Sequence, residues 1–143
     1  MPRIEACLHD IATWMSLSKL KLNGDKTELL VIGSQHRPVS FTVVDGSVTN
    51  PSHSASNIGV IFDNSLIMKL EVAATCKSAF FHIRNISRIR KFLLAESTKM
   101  LVHAFVICRL DNCNSLSYGI PKCLIHRLQL VQNCVVRLIL CGS

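Results

Sequence analysis

Lys77, Arg84, Arg88 and Lys91 are the side chains whose type and spacing best suit a definite chemistry. At 100° per residue they fall within roughly 60° of one another on a helix. Between Lys69 and Lys91 only Glu71 supplies an opposite charge. Each phosphate that such a row neutralises releases counterions, so the row could grip a nucleic-acid backbone without reading its sequence. An ordinary solvated helix face has the same composition and needs no ligand.

Other site chemistry finds little support. Cys123, His126 and Cys134 share one stretch of helical pattern. Eleven residues of helix separate the two thiols by about 16 Å, at 1.5 Å per residue. One zinc ion with bonds of ~2.3 Å cannot bridge them. No C-x-x-C pair, P-loop or G-x-G-x-x-G occurs, and no local signature ties a cysteine to a histidine as a nucleophilic pair. Lys26 stands alone in a short polar turn with Asn23, Gly24 and Asp25. By spacing alone it is a solvated turn lysine.

The elements that must position these residues follow from periodicity. Ile4, Cys7, Leu8, Ile11, Trp14 and Met15 recur at helical spacing, so the chain opens on an amphipathic helix suited to covering one side of a sheet. Thr27 to Ile32 reads as an apolar, buried strand. Val39 to Val44 reads as another, with Asp45-Gly46 as its hairpin turn. Ser56 to Phe62 makes a further strand; Gly59 inside it suggests a bulge or a close backbone approach. Beyond Asp63 the period becomes helical. One long helix spans Leu66 to Arg90 with Val72, Cys76, Ala79, Ile83 and Ile86 inward. A second runs from about Ala95 to Leu110, with Leu101, Ala104, Phe105 and Cys108 inward. Pro121 suits the start of a third, about Lys122 to Leu140, with a stripe of Leu124, Leu128, Val131, Val135 and Leu138. The expected class is therefore α+β: residues 1–63 form an N-terminal helix and a small antiparallel sheet, and residues 64–143 form a three-helix bundle.

Composition agrees with a folded chain of domain size. The 143 residues are 49% hydrophobic and carry a net charge of +7. The charge is uneven. Residues 1–63 hold five Lys/Arg against six Asp/Glu, a net of −1, whereas residues 64–143 hold eleven against three, a net of +8. A basic half suits a polyanionic partner. The seven cysteines are irregularly spaced, which points to reduced and mostly buried thiols. The longest uncharged apolar run, Met100 to Cys108, falls short of the ~18 residues of a membrane span. The first residues do not form a signal peptide, because Glu5 and Asp10 interrupt any apolar core. A cytoplasmic or nuclear setting, with no membrane partner, is the expectation.

The wording of the first segment is more specific than its periodicity. Trp14-Met15 followed by Leu20, Leu22, Asn23, Lys26, Thr27, Glu28 and Gly33 resembles the end of the palm in reverse transcriptases of LINE-type (non-LTR) retrotransposons. Their pattern is a helix with W-M, then L-x-L-N-x-x-K-T-E, then a hydrophobic strand closed by Gly; Ser18 departs from the usual Asn. Asn57-Ile58-Gly59-Val60-Ile61-Phe62-Asp63 resembles the N-L-G-V-x-x-D segment that comes next. Ser78 to Arg90 resembles the start of the helical thumb. The segments around Asp111-Asn112-Cys113-Asn114 and Arg127 to Asn133 resemble L-D-Y-C-N and R-L-Q-x-V-Q-N, with Asn112 where Tyr is usual.

That resemblance covers nearly the whole chain but only the back part of the enzyme, palm remnant and thumb. It implies that Lys26 matches the palm lysine that approaches the incoming nucleotide as a general acid. It implies that Gly59 lies in a primer-grip-like hairpin, and that Lys77, Arg84, Arg88 and Lys91 face an RNA or RNA–DNA duplex. The intact enzymes use Mg²⁺ held by an adjacent pair of aspartates and an earlier one. Here Asp10, Asp25, Asp45, Asp63 and Asp111 are all separate, and the chain begins after the position of that pair. The expectation is a truncated RNA-directed DNA polymerase that is inactive alone, needs no cofactor and retains sequence-independent binding. The alternatives are a helical interaction module that pairs through the Leu124–Leu138 stripe and a functionless remnant. Missing palm elements would leave apolar surface near Trp14 and the Leu29–Ile32 strand open to self-association.

Overall fold

A computed structural model describes residues 2–21, 23, 26–33, 41–42, 48–112 and 114–140. The chain is of mixed α and β structure and divides into two units, Met1–Leu66 and Ile67–Ser143.

The first unit opens with α1, Pro2–Leu17. Lys19 ends it in a left-handed conformation, with the Leu20 amide closing back on the Met15 carbonyl at 2.8 Å. The apolar spacing does form a helix, but that face is not covered as expected. Leu8, Ala12 and Met15 are half-buried, while Ile4, Ile11 and Leu17 are open and Trp14 is 63% exposed.

The strands also differ from expectation. In place of one antiparallel sheet, the described residues form three separate pairs. β1 (Leu29–Leu30) runs parallel to β4 (Pro51–Ser52). β2 (Phe41–Thr42) and β3 (Val48–Thr49) are antiparallel, as are β5 (Ser54–Asn57) and β6 (Val60–Asp63). The apolar run from Thr27 to Ile32 contributes only two paired residues, both half-buried, and Ile32 is exposed. A lone two-stranded pair cannot bury both faces of a strand, so apolar content did not translate into a buried position. The expected Asp45-Gly46 turn lies outside the described residues.

Gly59 does not sit within a continuous strand. Asn57 pairs with Val60, so Ile58 and Gly59 form the two-residue tip of the β5–β6 hairpin. Their φ angles are +50° and +78°. Two positive φ values define the turn type whose twist matches paired strands. Glycine adopts that conformation freely, whereas a β-branched isoleucine is strained in it. Read as a run of apolar residues, the segment hides a reversal that only the backbone shows.

The second unit is a three-helix bundle. α2 spans Lys69–Ile89 and buries Val72, Cys76, Ala79 and Ile86, the expected stripe, with Ile83 half-buried. It starts later than its periodicity suggests, because Leu66 and Met68 have φ of +54° and +62°. A tight turn, Arg90–Phe92, follows, where the Arg90 guanidinium donates to the Leu93 carbonyl at 3.1 Å.

The second helix is continuous but not uniform: α3 (Ala95–Val102) passes through a wider π turn at His103–Ile107 into α4 (Cys108–Asp111). The Cys108 amide bonds the His103 carbonyl, five residues back. Thr98, Val102 and Val106 are buried, four residues apart. The expected inward set fails here: Leu101 is half-buried, and Ala104, Phe105 and Cys108 are exposed. The departure begins in α3, where Thr98 and Val102 are buried; the turn closed five residues on then keeps Val106 nearly in line with Val102.

α5, Lys122–Leu140, follows Pro121 as expected. Its Leu124, Val131 and Val135 are buried, and Leu128 and Leu138 are half-buried. The stripe proposed for pairing with a partner is thus spent inside the bundle, much of it against α2. By length and composition α5 could cross a membrane, which the count of uninterrupted apolar residues did not anticipate.

Candidate nucleic-acid interface

α2 brings three of the four expected cations to one exposed face. Lys77, Arg84 and Arg88 are all exposed, and their spacing places them within about 40° of one another around the axis. Among the described residues none of the three pairs with a carboxylate. Glu71 lies about 120° from Lys77 around the helix, and its carboxylate accepts from the Thr75 hydroxyl at 3.1 Å. Glu96 pairs with Lys99 at 2.8 Å on α3.

Lys91 departs from the row. It lies beyond the end of α2, in the Arg90–Phe92 turn, so helical spacing no longer fixes its direction. It remains exposed, and its Nζ sits 4.8 Å from the centre of the Phe92 ring. The attraction of a cation for the ring face holds it there.

The other expected site residues belong to the first unit. Lys26 is exposed, and its amide donates to the Asn23 carbonyl at 3.3 Å. The Thr27 hydroxyl donates to the same carbonyl at 3.1 Å. Glu28 accepts from the Ser56 amide at 2.8 Å, tying the lysine turn to β5. Asp63 is buried at the end of the hairpin. Its Oδ1 accepts from the Ser65 amide at 3.2 Å and from the Ser65 hydroxyl at 2.9 Å, which fixes the turn after β6. Glu28 and Asp63 therefore have structural roles that the motif wording alone did not assign. Gly59 has no heavy atom within 4 Å of the position a Cβ would take, so its requirement is conformational and not one of space.

No group of three metal-ligating side chains occurs among the described residues. On α5, Cys123 and His126 are exposed and Cys134 is half-buried. The thiols are less buried than expected: Cys7, Cys108 and Cys123 are exposed, and among the described cysteines Cys76 alone is buried. Each exposed thiol sits on the open side of its helix, away from the core stripe. Burial pushes the Cys76 thiol up, and the Arg127 guanidinium offsets this only in part. Cys76 is therefore an inert core residue. The Cys108 sulfur lies 3.8 Å from His103 Nδ1 across the π turn, both exposed. A pocket between Met68, Glu71, Val72, Arg109 and Leu128 holds about 30 Å³, room for a water and not for a nucleotide.

No known family model, no curated protein and no solved structure matches the chain.

Proposed function

We propose that the second unit binds the backbone of RNA or of an RNA–DNA duplex without reading its sequence, through Lys77, Arg84 and Arg88 on α2 and Lys91 beyond its end. The observation that carries this is the exposed cationic face of α2, free of carboxylates in a half of the chain that bears a net +8. Its origin, in this reading, is the thumb-like part of a LINE-type reverse transcriptase, the family whose wording the motifs resemble. Lys26 and the Gly59 hairpin belong to the palm-derived part. With separate aspartates, this stretch is assigned no polymerisation of its own. Such a binder would work in the nucleus or cytoplasm.

The test is fluorescence anisotropy with a labelled RNA–DNA duplex, at low and moderate salt. The comparison is a variant with Lys77, Arg84, Arg88 and Lys91 all changed to Ala. Circular dichroism checks that the variant keeps its helices. Salt-sensitive binding that the variant loses supports the grip. Equal binding by both proteins removes the row from the account.

Association through apolar surface is the second reading. With Leu124, Val131 and Val135 of the α5 stripe buried, it falls to the open face of α1, where Trp14 and Leu17 are exposed. Sedimentation at high salt separates the two, because apolar association persists when phosphate binding is lost.

A further inference from the structure

We infer that Phe81, His82 and Phe105 form a stacking platform for the unpaired bases of a single-stranded nucleic acid. The platform presupposes the backbone grip of α2 and narrows its ligand to strands, or overhangs, with accessible bases.

Phe81 lies on the cationic face itself, about 40° around the helix from Lys77 and about 20° from Arg88. An apolar ring there gains nothing from a core: Phe81 is 58% exposed. Its ring meets His82 edge-on, with centroids 5.4 Å apart and an interplanar angle of 78°. His82 in turn stacks on Phe105, at 5.2 Å and 21°. Phe105 is carried by the π turn and remains 46% exposed. The π turn thus carries an exposed Phe105 ring against His82 of α2. The three rings form a run of contacts that starts at Phe81 on the cationic face, beside Lys77, Arg84 and Arg88, and leads around α2 through the half-buried His82 to Phe105.

A duplex keeps its bases stacked on one another, so it has no use for exposed rings beside a phosphate grip. A single strand does. Every base presents a π face, and sequence-tolerant binders combine a cationic track with aromatic side chains on which bases stack. Phe81 beside Lys77, Arg84 and Arg88 matches that ligand in charge, and the exposed Phe81 and Phe105 rings offer it π faces.

The experiment compares two labelled strands with equal numbers of phosphates, one of deoxythymidines and one of abasic residues, titrated at low salt. The native chain should bind the base-containing strand at least about fivefold more tightly, the lower end of what one stacked base contributes. Changing Phe81 and Phe105 together to Leu keeps apolar bulk on two exposed sites. It should abolish that preference and leave abasic binding unchanged. Equal affinity of the native chain for both strands would overturn the platform while leaving the backbone grip intact. So would an unchanged preference in the double variant. A double variant whose preference persists while its oligomeric state changes would make the rings a contact between copies of the chain. Binding of neither strand, nor of an RNA–DNA duplex, would overturn the grip and the platform together.

Discussion

The two units of this chain differ in what holds them. The helical unit has an apolar core: Val72, Ala79 and Ile86 of α2, Val102 and Val106 of the second helix, and Leu124, Val131 and Val135 of α5. In the first unit the described residues bury Val60 and Asp63. Its other described ties are short strand pairs and polar bonds such as Glu28 to the Ser56 amide and Asp63 to Ser65. Specific wording and a packed core are thus found in different places. The motif around Trp14 to Gly33 sits on the unit whose described residues bury Val60 and Asp63, whereas the cationic face stands on the unit with the larger described core.

The largest effect should come from breaking the core on one side of that contrast. Val131→Asp places a carboxylate at a fully buried position with no partner, at a cost of roughly 3–5 kcal/mol. Thermal unfolding followed by helical circular dichroism should show the bundle lost. Trp14→Ala on the exposed face of α1 should change stability by less than about 0.5 kcal/mol. Comparable losses from the two changes would show that the first unit has a core of its own.

A smaller effect should sharpen the picture of the hairpin. Gly59→Ala forces an alanine into positive φ and should cost about 1 kcal/mol. Ile58→Asn replaces a strained, 90% exposed isoleucine with a residue that tolerates the turn, and should stabilise the hairpin by up to about 1 kcal/mol. Amide hydrogen exchange across residues 54–63 would report both. If Ile58→Asn loosens the hairpin, Ile58 is held by contacts and not merely endured.

The smallest effect concerns Cys76. A thiol raised by burial keeps its proton in the folded state, so the folded chain holds more protons than the unfolded one between the ordinary thiol value of about 8.5 and the raised value. Stability from this group is therefore complete below that range and falls as pH rises through it. Thiol labelling near neutral pH should modify Cys7, Cys108 and Cys123 quickly and Cys76 only on unfolding. Rapid labelling of Cys76 in the native chain would contradict a core between α2 and α5.

Much of the helical half was legible in the sequence. The α2 and α5 stripes recur at regular spacing, and the buried residues follow them. What periodicity missed had backbone causes. The second helix buries Thr98 and Val102 ahead of the π turn at His103–Ile107, and the turn then brings Val106 inward in place of Phe105 and Cys108. The tip at Ile58-Gly59 turned an apparent strand into a hairpin, although a glycine two residues after a polar Asn57 offered a faint signal. The parallel β1–β4 pair joins segments twenty residues apart, which local patterning cannot report. Of the candidate site, the cations of α2 were readable from spacing. The Phe81–His82–Phe105 cluster was not, because it depends on where the π turn carries Phe105.

The most direct test of the cationic face is the salt dependence of RNA–DNA duplex binding, measured for the native chain and for Lys77→Ala, Arg84→Ala and Arg88→Ala separately. If each side chain contacts one phosphate, each change should lower the slope of log affinity against log salt by about 1. Slopes unchanged in all three variants, with the chain still binding, would place the nucleic acid on some other surface and contradict the account.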